Sequence, residues 1–234
     1  MNDNVKSIRA QVASHGALFN PTILQATRDI YRPYIPAGGD IRTEVDVAYG
    51  SAARHRLDLY RPAATTAANV PIVIYIHGGG FVGGGKNEDG VYYRNVGEYF
   101  ARHGFLAIVP NYRLAPEHPW PAGAQDVGAV VDWAGQNASR YGADPARRFI
   151  IGQSAGSTHV ATWLFDGNVR GTAAPAVTGA VLMSGLYRVE APLDPRLQSY
   201  FGADPALYPA RSPIAHVAKD HPPLLLSVAE FDPQ

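Results

Sequence analysis

Five stretches of the chain are apolar without alternation: residues 71–76, 105–109, 149–151, 177–183 and 224–228. A strand buried on both faces reads this way, as in the middle of a parallel sheet. Two more strands are predicted at 43–49 and 56–60, the second alternating around Leu57 and Leu59. Between these runs the spacing changes to that of helices. One helix is expected over 91–102, one over 122–141 with Val127, Val130, Val131 and Ala134 on a single face, and one over 154–164. Two short helices, 4–14 and 21–31, open the chain. Asn20 can cap the second, and Pro21 takes its first helical position. Strand and helix in alternation, with short joints, predict an α/β fold whose mostly parallel central sheet is flanked by helices. Residues 185–222 are proline-rich and irregular, which suits an elaborated loop or small lid. The expected division is an N-terminal helical cap segment over 1–42 and an α/β core over 43–234.

Composition narrows the function more than the fold. Lysine plus arginine (20) balances aspartate plus glutamate (20), so the chain lacks the basic field of a nucleic-acid or anionic-membrane binder. Charged residues are 17% of the chain against a usual ~25%, and a sizeable buried core follows. The absence of cysteine excludes disulfides, thiolate metal sites and a cysteine nucleophile together. No apolar run approaches the ~18 residues of a membrane span, and the first residues lack the apolar core of a signal peptide. The expectation is a soluble, cytoplasmic protein with no nucleic-acid or membrane partner, for which a homodimer stays open.

Two motifs carry chemistry. Gly152-Gln153-Ser154-Ala155-Gly156 stands between an apolar strand and a helix. Flanking glycines permit a tight strand-to-helix turn that lifts the serine hydroxyl off the sheet, beside a helix N-terminus that favours negative charge. Ser154 is therefore the candidate nucleophile. His77-Gly78-Gly79-Gly80-Phe81 directly follows strand 71–76. Acyl transfer creates an oxyanion that preorganised backbone N–H groups stabilise, and glycines let the backbone approach the substrate. Gly79, Gly80 and Ala155 are the expected donors. Two nucleotide-binding patterns overlap this stretch. Gly78-x-Gly80-x-x-Gly83 fits a dinucleotide fingerprint, and 80–86 fits a phosphate loop until Asn87 stands where Ser or Thr is needed. Neither accounts for His77 or for the serine turn.

Taken with Asn111-Tyr112-Arg113-Leu114-Ala115-Pro116-Glu117-His118-Pro119 and the stretch from Pro222 to Pro233, these motifs resemble the hormone-sensitive-lipase-like carboxylesterases of the α/β-hydrolase superfamily. The resemblance runs from about residue 44 onward. It implies an α/β-hydrolase fold, Ser154 as nucleophile, Asp232 as the triad acid, and Gly79, Gly80 and Ala155 as the oxyanion hole. His77 and Gly78 would support that loop, and Arg113 and Glu117 would stabilise a loop beside it. The implied partner is a small-molecule ester, with a short acyl group favoured, and neither metal nor organic cofactor is needed. Gln153 stands where the family usually has Asp, and with Tyr49-Gly50 and Leu57-Asp58-Leu59-Tyr60 it leans toward the arylformamidase-like branch. Alternatives to an esterase are therefore an arylformamidase and a non-catalytic, receptor-like binding protein.

The superfamily order is Ser, then Asp, then His, and all eight histidines here precede Asp232. His77 and His118 read as structural, His159 as carried away from the active face by its helix, and His103 as a helix-end residue. His216 and His221 fall before the last strand, while His15 and His55 read as surface residues. The triad histidine is thus expected to lie outside this chain, along with a C-terminal helix–strand–helix part. Phe81, Leu186 and Tyr187, together with Phe19, Tyr31 and Tyr34 from the first helices, are the candidate lining of an apolar substrate pocket.

Overall fold

A computed structural model describes residues 3–18, 20–36, 39–63, 69–171, 176–230 and 232. The chain divides into two units, residues 1–39 with 229–234, and residues 40–228. The first holds α1 (Asp3–Ala13) and α2 (Pro21–Tyr31). At the start of α2, Asn20 Oδ1 accepts the Ile23 N–H at 3.0 Å and Pro21 occupies the first turn, where its missing N–H costs nothing.

The second unit is built on seven strands: β1 (Ile41–Ala48), β2 (Arg56–Pro62), β3 (Val70–Ile76), β4 (Leu106–Pro110), β5 (Ala143–Gln153), β6 (Gly179–Met183) and β7 (Leu224–Ser227). Their order is β1-β2-β4-β3-β5-β6-β7. β1, β2 and β4 pair antiparallel, and β4, β3, β5, β6 and β7 run parallel. Helices α3 (Arg94–Arg102), α4 (Ala122–Asn137) and α5 (Ala155–Phe165) form the crossovers, followed by the short α6 (Gly167–Arg170), α7 (Pro195–Phe201) and α8 (Tyr208–Arg211). The last two lie in segment 185–222, so that stretch is a string of short helices and turns.

The unbroken apolar run of β3 reflects burial on both faces. Ile72, Ile74 and Ile76 join Leu106, Ile108 and Ile150 in one cluster with Val127, Val130 and Val131 of α4 and Val160 of α5. Val73 and Tyr75 point to the opposite face, where they meet Tyr60, Ala107, Val109 and Ala101 of α3. The period-two alternation of a strand sends neighbours to opposite layers, so both layers need apolar side chains. Each fully buried aliphatic chain contributes about 1.5–3 kcal/mol.

Strand β7 departs from the expectation of a strand buried on both faces. Leu225 is 62% and Leu226 61% exposed. Its one strand partner is β6, and among the described residues it is an edge whose faces lack the helices that cover β3 and β5. None of the described helices is long and apolar enough to cross a membrane.

Candidate active site

The parallel register sets the site. Ile76 at the end of β3 pairs with Gly152 near the end of β5, so the loop after β3 and the turn after β5 leave the sheet side by side. At that turn Ser154 has φ 54° and ψ −123°, a left-handed conformation that costs a non-glycine residue roughly 1–3 kcal/mol. Neighbouring bonds hold it there. The Ser154 N–H donates to Met183 O at 2.8 Å, and Ser154 O accepts from Ser157 N at 2.9 Å and Thr158 N at 3.1 Å. Gly156 is required by close approach, because any β-carbon there would overlap the carbonyls of Ile76 and His77. Gly152 likewise leaves room for the Ser157 backbone. The serine that results is half-buried and begins α5.

The loop 77–84 is folded onto this turn. Gly79 (φ 140°) and Gly80 (φ 60°) occupy conformations that side chains rarely adopt, and a β-carbon on Gly79 would overlap the Gly83 backbone. Gly83 N–H closes the loop on Gly79 O at 3.0 Å. Gly78 lies against the Gln153 side chain, whose Oε1 accepts the Tyr93 hydroxyl at 3.4 Å. Among the described residues, the N–H groups of Gly79, Gly80 and Ala155 have no acceptor. Phe81 and Ala155 share a buried cluster with Ala115, Val189, Leu193, Tyr200, Phe201 and Tyr208, and half-buried Leu186 packs on it. Tyr187 instead packs against the main core, its hydroxyl 2.9 Å from Ser157 Oγ.

Two anchors steady the loop. His77 is fully buried, and since Gly78 O can only accept, its Nδ1–H donates to that oxygen at 2.6 Å. Its ring stacks on Tyr112 at 4.4 Å, and the Tyr112 hydroxyl donates to His77 O at 3.0 Å. Segment 111–115 is tied down in turn by Asp126, which accepts Arg113 N at 2.7 Å and Arg113 Nε at 2.9 Å, and by Ala115 N donating to Phe81 O at 3.0 Å. Glu117, expected to share this work, is exposed. The partner sequence reasoning missed is Asp126, 2% exposed, which also meets His55 Nε2 at 3.1 Å. His55 is therefore not a surface residue; its ring stacks on Tyr49 and faces a buried carboxylate. His15 is half-buried rather than surface. No periodic signal marks such pairings, because the partners are brought together only by the folded sheet.

The phosphate-loop reading fails on geometry. Lys86 Nζ bonds Asp58 Oδ1 at 2.6 Å and Asp46 Oδ1 at 2.9 Å, pinning the loop to the β1–β2 edge. It is spent inside the protein.

No histidine among the described residues hydrogen-bonds Ser154. His159 is buried, its Nδ1 3.1 Å from the Tyr200 hydroxyl. His103, His216 and His221 bond backbone oxygens of Tyr99, Ala210 and Pro222, and His118 is exposed. Asp232 belongs to the other unit, where its carboxylate accepts Ala229 N–H at 3.0 Å and its own N–H donates to Ala229 O at 3.2 Å. Tyr31 and Tyr34, 44% and 45% exposed, also lie in that unit. Phe19 falls outside the described residues.

Burial pushes His77 down to about 4 and His159 to about 3, so both are neutral rings packed as core. Below their ordinary value of ~6.5 the unfolded chain takes up protons that the folded chain refuses. Stability is therefore full above pH ~6.5 and falls with decreasing pH toward each folded value, by up to ~1.4 kcal/mol per pH unit for each ring. Urea unfolding between pH 7 and pH 5 should show this slope, and His159→Gln should flatten it. A slope unaltered by that change would show the ring is not the proton acceptor.

Comparison with known proteins bears on the fold and on the class of reaction. The BD-FAE family model matches residues 57–169. Carboxylesterase NlhH of Mycobacterium tuberculosis is 43% identical over 89 residues, which are 38% of this chain and 27% of that protein. Esterase LipI of the same organism is 34% identical over 139 residues, 58% of this chain and 41% of LipI. The crystal structure of inhibited esterase B from Lactobacillus rhamnosis superposes with a TM-score of 0.69 at 25% identity, covering 94% of this chain and 75% of that one. The fold is that of the α/β-hydrolases. The matches lie on their carboxylesterase branch, and the matched stretches span under half the length of the two curated relatives. The region matched by the family model holds β2 through α5, and with them the loop after β3 and the turn after β5.

Proposed function

We propose that this α/β-hydrolase cleaves carboxylic esters through an acyl-enzyme on Ser154. The observation that carries the proposal is a serine on a strained strand-to-helix turn, where the Ala155 N–H is unspent, beside a loop in which the Gly79 and Gly80 N–H groups are unspent too. Ser154 Oγ attacks the ester carbonyl, and the carbonyl oxygen takes the negative charge while Gly79, Gly80 and Ala155 N–H groups donate to it. Such donors act at full strength because they are already oriented when the charge appears. The alcohol leaves, and water repeats the attack on the acyl-serine to free the acid. Asp232 orients the histidine that carries the proton in both halves, as in other Ser–His–Asp sites. Among the described residues no histidine bonds Ser154, and His55, His77, His159 and His216 are bonded elsewhere. Relatives named carboxylesterase and esterase support the reaction class, and an esterase B structure with a tributyrin phosphonate supports a short acyl group.

Treatment of the full gene product with a fluorophosphonate tests this reading, because only an activated serine is phosphonylated at an appreciable rate. The adduct is expected on the peptide 149–170, at Ser154. Labelling at another residue, or none, overturns the assignment.

A further inference from the structure

A charge that ester cleavage does not require stands over the glycine loop. A β-carbon placed on Gly80 would lie 3.0 Å from Cδ and from one terminal nitrogen of Arg196, and 3.3 Å from Cζ. Arg196 sits in the first turn of α7, and the same helix fixes it there. Tyr200 stacks on Phe81 with ring centroids 4.5 Å apart, and Phe201 meets Phe81 edge-on at 5.2 Å. Helix and loop are thus packed directly on one another. The second terminal nitrogen of Arg196 is 3.3 Å from Asp194 Oδ2. Asp194 Oδ1 is already committed to the Leu197 N–H at 2.8 Å as the cap of α7. Among the described residues the nitrogen facing Gly80 has no acceptor.

We propose that Arg196 is a specificity residue that receives a carboxylate borne by the substrate, so that half-esters of short dicarboxylic acids are preferred to neutral esters. The proposal rests on the esterase reading of Ser154. A guanidinium presents parallel N–H groups that match the two oxygens of a carboxylate, which a neutral acyl chain cannot use. Its place beside Gly80, one of the proposed oxyanion donors, sets the distance. A carboxylate there is only a few bonds from the carbonyl under attack, which is the spacing in a succinate half-ester. The pair with Asp194 does not account for the residue. Both side chains are about half exposed, at 54% and 47%, and surface pairs of this kind add little stability. The same exposure leaves the guanidinium accessible to a solute arriving at the loop.

The test is the ratio of kcat/KM for mono-p-nitrophenyl succinate to that for p-nitrophenyl butyrate, measured on the full gene product. Arg196→Gln is expected to lower this ratio about tenfold, mainly through KM for the succinate, as fits the loss of a charge-assisted bond at a half-exposed site. Arg196→Lys should recover part of the ratio, because charge returns without the planar fork. An unchanged ratio overturns the proposal. That includes an equal fall on both esters, which would make Arg196 a support for the oxyanion or the fold. Failure of the unaltered protein to hydrolyse either ester overturns the esterase reading itself, and this proposal with it.

Discussion

Ser154→Ala is expected to lower kcat on p-nitrophenyl acetate by at least ~10³-fold in the full gene product, the cost of removing a nucleophile that acts with its base as a unit. The glycine loop would remain, and such a site keeps a residual ~10³–10⁴ over water from oxyanion stabilisation and binding. The comparison must therefore be with the unaltered enzyme and not with buffer. Removal of a half-buried hydroxyl at a strained turn should leave thermal stability equal or slightly higher, since alanine gives up nothing the fold uses: Ser154 holds its position through backbone bonds. A variant that keeps ordinary esterase turnover would place the nucleophile elsewhere. The 234-residue chain offers a companion measurement. With no described histidine bonded to Ser154, it should hydrolyse this ester little better than its own Ser154→Ala form. Full activity there, abolished by changing His159 or His216, would show that an upstream ring serves as the base.

Gly79→Ala should cost about 10²–10³ in kcat, the effect of losing one oxyanion donor. The added carbon has no place. It would overlap Gly83 O, and φ 140° is a conformation left to glycine, so the 79–83 turn must open and swing the N–H groups of Gly79 and Gly80 away. The damage stays local because Gly79 is exposed and belongs to none of the three buried clusters. Melting temperature should fall by only a few degrees, roughly what 1 kcal/mol does in a domain of this size. Gly90→Ala is the control. Gly90 also has a positive φ, 68°, yet nothing lies within 4 Å of its added carbon, so it should show the strain without the loss of rate. Equal rate losses in the two variants would assign the effect to general strain and not to the loop.

Much of this was legible in order along the chain. An apolar run such as 71–76 must lie in a two-faced sheet, because no other position buries consecutive side chains of a strand. A glycine at each end of Gln153-Ser154-Ala155 must serve a tight turn, and Gly156 against the Ile76 and His77 carbonyls is that requirement in three dimensions. Strand β7 was misread for an instructive reason. Its residues are as apolar as those of β3, but burial depends on what is packed beside a strand, and its pattern alone cannot say whether that neighbour is present.

The alternation of strands and helices, the place of the serine turn and the glycines that a close-packed loop demands all follow from the order of residues along the chain. Those features are local: periodicity, capping and backbone freedom act within a few residues. Tertiary structure alone decided which charges meet. Asp126 holds Arg113 and His55 from 13 and 71 residues away, Lys86 is consumed by Asp58, and Arg196 comes to rest over Gly80. Nothing in a charged side chain's neighbours along the chain selects its partner; the parallel crossovers do, by bringing the ends of β3 and β5 and the helix after β6 to one edge of the sheet.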